Sequence, residues 1–255
     1  MAAESNCPPP TLRIAMWSGP RNLSTAMMRS FGNRADTFVS DEPYYGAFLK
    51  QSGAPHPMAA DVIAAMDCDW GSVARTLAGP VPGARPIWYQ KHMWHHMAGP
   101  IGYADFAGFT HAFLIRDPAR MIASYLRKRE AAAFGDFGLE RQAEFFAREA
   151  DRLGEAPPVV DASDILADPE ATLGALCARL GIGWDPAMLR WPPGRRATDG
   201  PWAPHWYQAV EASTGFGPPD PPPADLPDAA RRLAARCRPF YDRLAAHRLA
   251  ARPVR

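Results

Sequence analysis

With 255 residues, 47% hydrophobic and 22% charged, the chain is long enough for one large domain with a sizeable core. A net charge of +1 excludes nucleic-acid or membrane binding driven by bulk electrostatics. No apolar run approaches the roughly 20 residues of a membrane span, and the opening MAAESNCPPP has neither the basic nor the apolar region of a signal peptide.

The elements alternate. TLRIAMW, 11–17, reads as a buried strand and LSTAMMRSFGN, 23–33, as a helix closed by Gly32-Asn33. A strand at 37–40 leads into the acidic turn Asp41-Glu42-Pro43, and the less regular stretch 44–84 holds helices near 57–67 and 70–78. Strands return at 86–92 and 110–116, followed by a helix over 118–134 with Pro118 in its first turn. A helix near 139–152, a short strand at 157–163 and a helix at 168–182 complete the pattern. Strands alternating with helices predict a parallel sheet covered on both faces. The sequence divides into a tail at 1–10, an α/β domain at 11–216, and a Pro-rich connector at 217–227 carrying a last helix, about 226–250. The four cysteines, Cys7, Cys68, Cys177 and Cys237, include no CxxC pair. That pattern fits a reducing, cytoplasmic setting better than a zinc site or a disulfide framework.

SGPRNLST, at the first strand–helix junction, has the makings of an anion site. Gly19 permits a close turn, Arg21 offers a fork of donors, and Ser24 and Thr25 stand where free N–H groups and the helix dipole point at a ligand. The plainer alternative is a capped helix with a surface arginine. GxxxxGK[ST] is absent, so the lysine and Mg²⁺-binding hydroxyl of an ATPase are not in place. Three later stretches join it. Arg116 ends a strand with Ser124 eight residues on; Arg195-Arg196 precede Trp202 and Trp206; and ASDILADPEATLGALCARLGI forms a strand-turn-helix unit.

Taken together, these stretches resemble the sulfotransferases that use 3′-phosphoadenosine 5′-phosphosulfate (PAPS) as co-substrate. The resemblance covers about residues 11 to 206 and implies a three-layer, P-loop NTPase-like α/β fold with a central parallel sheet flanked by helices. It implies that Arg21, Asn22, Leu23, Ser24 and Thr25 hold the 5′-phosphosulfate. Arg116, Ser124, Arg195 and Arg196 would hold the 3′-phosphate, and no metal is required. In the family, a Lys-Thr-His-like triplet ends the strand before the arginine strand, and its histidine takes the acceptor's proton. His92, 24 residues before Arg116, is the matching base, with Lys91 at the threonine place and Arg21 stabilising charge on the leaving phosphate. The acceptor would be a small molecule with a hydroxyl or amine, and neither nucleic acid nor membrane is implied as a partner.

Some positions depart from the family. Ala26 and Ala162 replace its adenine-contacting Trp and Tyr, and Ala197 replaces a loop glycine, so Trp70 or Trp202 would have to supply stacking. His92, His95 and His96 have helix-face spacing that also suits a metal cluster or ordinary packing. The DEP turn would order the acceptor pocket or bind an amine, and Tyr44, Tyr45, Trp94 and Tyr103 are candidate pocket aromatics. Two other functions remain open: a nucleotide-dependent phosphotransferase, and a binding module that keeps the fold without turnover.

Overall fold

The computed structural model describes residues 11–219 and 225–250. Five strands form one parallel sheet in the order β2-β3-β1-β4-β5: β1 Leu12–Ser18, β2 Thr37–Asp41, β3 Ile87–Met93, β4 Thr110–Ile115 and β5 Val159–Asp161. Eleven helices among the described residues surround it. They are α1 Ser24–Gly32, α2 Tyr45–Ser52, α3 Ala59–Ala65, α4 Trp70–Ala78, α5 Pro118–Leu126, α6 Leu139–Leu153, α7 Ala162–Ala167, α8 Pro169–Leu180, α9 Ala203–Trp206, α10 Gln208–Glu211 and α11 Asp228–Ala245.

Strand side chains alternate between faces, so the sheet carries two apolar layers. Ile14, Met16, Tyr89 and Leu114 pack with Met27, Phe31, Leu173 and Trp202 on one face. Ala15, Trp17, Trp88 and Phe113 pack with Trp70, Phe145, Phe146 and Leu244 on the other. The helix ends follow local chemistry. Asp117 accepts from Arg120 N at 3.1 Å ahead of Pro118, Asp168 accepts from Ala171 N at 3.0 Å ahead of Pro169, and Gly181, at φ 70°, stops α8. Arg238 pairs with Asp117 at 2.5 Å and the Tyr241 hydroxyl donates to Asp161 at 2.7 Å, fastening α11 to α5 and the edge of the sheet.

Several elements differ from the sequence expectation. The helix predicted over 118–134 stops at Leu126, because Phe137 is buried against Tyr125 and draws the chain back over the strand ends. That tertiary contact overrides the helix propensity of the alanines at 131–133. The last strand is only Val159–Asp161, since the Asp161 carboxylate accepts from Ser163 N at 2.7 Å and starts α7. α2, α9 and α10 were not anticipated. The predicted tail at 1–10 and part of the Pro-rich connector, 220–224, lie outside the described residues.

The segment between α8 and α9 is anchored to α1 by a buried two-pronged pair, Arg29 to Asp199 at 2.5 and 2.7 Å, with side-chain exposures of 2% and 0%. Removing one partner of such a pair strands the other charge in the interior, at a cost of about 3–5 kcal/mol. Asp199→Ala is therefore expected to lower unfolding stability by about that much in urea titrations. A loss below about 1 kcal/mol would show that solvent reaches Arg29.

Candidate active site

At the carboxyl ends of β1, β3 and β4, where ligands collect in open α/β sheets, lies a cavity of about 770 Å³. Its floor is the loop from Gly19 to Leu23. Arg21 and Leu23 adopt left-handed φ values of 64° and 65°, which non-glycine residues hold only when their surroundings impose it. Turns of this kind gather backbone N–H groups into anion-binding concavities. Asn22 is fully buried and donates to Leu114 O at 3.4 Å, pinning the loop to β4. A Cβ on Gly19 would stand 2.9 Å from Phe137 O, so only glycine allows this approach. The N-cap of α1 is Leu23, with no side-chain cap bond, so the helix start faces the cavity uncapped rather than satisfied by its own serines and threonine.

Arg21 Nε donates to Ser124 Oγ at 3.1 Å, and Arg116 Nη1 donates to Arg21 O at 2.5 Å. These three residues, separate in sequence, meet beside the loop. Burial, then the neighbouring cations Arg116 and Arg127, lower the Arg21 pKa. Arg195 and Arg196 are not brought to this place. Arg195 is exposed, while the Arg196 amide donates to Asp199 at 2.8 Å and its guanidinium reaches Pro192 O at 3.5 Å; neither lines the cavity.

His92 also lies elsewhere. On β3, Tyr89, Lys91 and Met93 face α1 and the cavity, whereas Trp88, Gln90 and His92 face the opposite layer. His92 is 1% exposed, stacked on Trp17 at 4.6 Å and bonded to Gln90 Oε1 at 3.1 Å. Burial, reinforced by His111, pushes its pKa down to about 3. The position expected for the base is thus a packed interior site, and Met93 takes its place on the cavity side. For the same reason His92 does not join His95 and His96. Among the described residues no group of three or more His, Cys, Asp or Glu is placed to hold a metal ion.

Lys91 is the hub of a second cluster in the cavity. Its ammonium lies 2.8 Å from Asp41 Oδ1, 2.5 Å from Glu42 Oε1 and 2.7 Å from the Tyr207 hydroxyl. Tyr207 in turn donates to Asp41 Oδ2 at 2.7 Å and accepts from Trp202 Nε1 at 3.1 Å. Burial works against the lysine's charge, but Asp41 and Glu42 hold its pKa well above the ordinary range. Glu42 has φ 41° and its side chain is 11% exposed. Burial lifts its pKa, with Lys91 opposing and Asp41 adding to the rise. Its second oxygen lies 3.5 Å from His96 Nδ1, too poorly aimed to be a hydrogen bond. The carboxylate therefore lines the cavity with one oxygen held and one open.

Of the aromatics singled out from the sequence, Tyr45 and Trp202 line the cavity, meeting edge to face at 4.9 Å. Tyr44, Trp70 and Trp94 belong to the opposite layer, and Tyr103 is on the surface beneath Arg148. Ala26 lines the cavity; Ala162 is fully buried and does not. Sequence reasoning missed His56, Arg129, Asp199 and Tyr207. The period-two alternation of IWYQKHM was the available signal that Lys91, rather than His92, faces the site.

Over residues 12–248 the chain matches the profile of a family described as Sulfotransferase domain. It belongs to that family. Two solved structures share the fold, each with a TM-score of 0.50 and 16% identity. The sulfotransferase domain from the curacin biosynthetic pathway aligns over 89% of this chain and 97% of its own. That of the Synechococcus PCC 7002 olefin synthase aligns over 92% and 98%. Among curated proteins the chain is 34% and 35% identical, over 234 residues each, to branched-chain-amino-acid aminotransferase-like proteins 2 and 1 of Arabidopsis thaliana. The match covers 92% of this chain but only 41% and 42% of those relatives, so the chain spans about two-fifths of their length. No helix among the described residues is long and apolar enough to cross a membrane.

Lys91→Met would leave Glu42 buried without its cation, raising further a pKa that burial already lifts. A carboxyl whose folded pKa exceeds its unfolded value of about 4 stabilises least at high pH. The stability gap between wild type and Lys91→Met in urea titrations is therefore expected to be larger at pH 8 than at pH 5. A gap independent of pH would show that Lys91 does not neutralise Glu42 in the fold.

Proposed function

We propose that this sulfotransferase-family chain moves a sulfuryl group from PAPS to a hydroxyl, or an amine, of a small acceptor, and that Glu42 rather than His92 takes the acceptor's proton. The observation that carries the reading is the convergence of Arg21, held by the buried Ser124, and Arg116 on a strained loop and an uncapped helix start, in the same cavity as the Glu42 carboxylate. The loop N–H groups and Arg21 suit the 5′-phosphosulfate, where charge grows on the departing phosphate oxygen, and Arg116 with Ser124 suits the 3′-phosphate. Arg127, close enough to bear on Arg21, is better situated than Arg195 and Arg196 to add a third cation. Sulfuryl transfer, like phosphoryl transfer, depends on alignment and charge neutralisation more than on covalent help.

Glu42 suits the base because it lines the cavity, its Oε2 takes part in no hydrogen bond among the described residues, and burial raises its pKa. Lys91 fixes its orientation through Oε1. The absence of an aromatic at Ala26 and Ala162 favours a second reading, a nucleotide-binding module without turnover.

Transfer of labelled sulfuryl from PAPS to a panel of simple phenols, alkanols and amines separates the two. Wild type is expected to sulfate at least one acceptor, with the rate falling as pH drops through the raised Glu42 pKa. Glu42→Gln is expected to lose about 10²–10⁴ of the rate while keeping affinity for adenosine 3′,5′-bisphosphate. Tight nucleotide binding with no transfer by wild type would favour the binding module, and full turnover by Glu42→Gln would remove the carboxylate from the mechanism.

A further inference from the structure

Two cations lining the cavity, Lys128 and Arg129, belong neither to the nucleotide site nor to the Lys91 network; Lys128 is exposed and Arg129 is half-buried. Arg129 follows the end of α5, lines the cavity, and lies over the Trp206 ring at 5.2 Å from its centroid. Its Nε is buried with no hydrogen-bond partner, and no salt bridge reaches it among the described residues. A buried guanidinium donor left open is costly unless a ligand completes it.

Its neighbours place it at the acceptor end. The Arg129 charge bears on Tyr45, His56 and His95, which line the cavity with it. These groups offer neutral surface. Tyr45 and His56 hydrogen-bond to each other at 2.8 Å; burial lowers the pKa of both His56 and His95, helped by Arg129 at His56 and by His56, Lys91 and Arg129 at His95. Of the acidic groups that bear on Tyr45 and His56, Glu42 is held by Lys91 at 2.5 Å and Asp136 accepts from the Ala133 amide at 2.8 Å.

From this arrangement we infer that Arg129 is the specificity residue of the acceptor site and takes a carboxylate, so that the acceptor is a hydroxy or amino acid-type compound with an apolar body. A guanidinium held over an indole can turn a planar fork of donors to the two oxygens of a carboxylate, which a lysine cannot offer. A single arginine facing neutral imidazoles and an aspartate suits a monoanion better than a phosphate dianion. Tyr45, Phe48 and Trp202 would cover the apolar part, leaving the acceptor's nucleophile toward Glu42. This inference rests on the sulfuryl-transfer reading for the role of the ligand, but not for the existence of the site.

The test uses matched pairs of probes differing only in charge, such as 3-(4-hydroxyphenyl)propionate against 3-(4-hydroxyphenyl)propan-1-ol, and benzoate against benzyl alcohol. Each is titrated calorimetrically into the full chain, with and without saturating adenosine 3′,5′-bisphosphate. At least one acid is expected to bind ten-fold or more tightly than its alcohol, a difference of about 1.4 kcal/mol. Arg129→Gln should reduce that preference below three-fold, Arg129→Lys should retain part of it, and the bisphosphate affinity of Arg129→Gln should change less than three-fold. If no acid out-binds its alcohol, or if Arg129→Gln weakens the bisphosphate ten-fold, the assignment is wrong; in the second case Arg129 is a nucleotide ligand. A carboxylate preference dependent on Arg129 in a protein that binds no bisphosphate would uphold this site and sink the sulfuryl-transfer reading instead.

Discussion

Lys91 sits between two carboxylates at the end of a buried strand, and most of what distinguishes this cavity follows from it. A lysine that is 1% exposed must have its charge matched. Asp41 and Glu42 at the end of the neighbouring β2 supply the match, with Tyr207 completing the ammonium's bonds. Satisfying Tyr207 then draws in Trp202, and Asp41 Oδ2 also accepts from Gly200 N at 3.1 Å. The roof of the cavity is thus tied to the sheet through one ammonium group. The same constraint turns the backbone of Glu42 into its left-handed form and aims its free oxygen inward. Two carboxylates against one lysine leave that cluster one net negative charge, with Arg129 as the further cation near it.

The opposite end gathers Arg21 and Arg116 beside the open start of α1. The strained φ values at Arg21 and Leu23 cost of order 1–3 kcal/mol each, and the binding of Asn22 and the packing of Phe137 offset them. The cavity therefore has a polarity, from a cationic floor under β1 and β4 to a carboxylate at β2 and β3. That gradient is what a transfer from an anionic donor to a nucleophile that must lose a proton requires.

The alternation of apolar strands and amphipathic helices made the parallel sheet legible in the sequence, as did the strand-turn-helix at SGPRNLST and the Arg116–Ser124 spacing. Local patterns set those features. What was not legible depended on side-chain direction or distant packing. His92 follows Lys91 by one residue, and a shift of one on a strand moves a side chain to the other face, so a motif-order match selected the wrong side of the sheet. The helix predicted to run on to 134 was cut short by the burial of Phe137. Arg195 and Arg196 have the expected spacing to Trp202, yet the buried pairing of Asp199 with Arg29 fixes their loop away from the cavity. Arg129 had no motif at all; only the shortened α5 brings it over Trp206.

The central claim is that the cationic floor recognises a nucleotide carrying phosphates at both the 3′ and 5′ positions. Titration calorimetry with adenosine 3′,5′-bisphosphate, beside ADP and Mg-ATP, tests it most directly, with Arg116→Ala as the control. The account predicts that the bisphosphate binds at least ten-fold more tightly than either, about 1.4 kcal/mol, and that Arg116→Ala removes the preference. Equal affinity for the bisphosphate and ADP, or a preference for Mg-ATP, would contradict it.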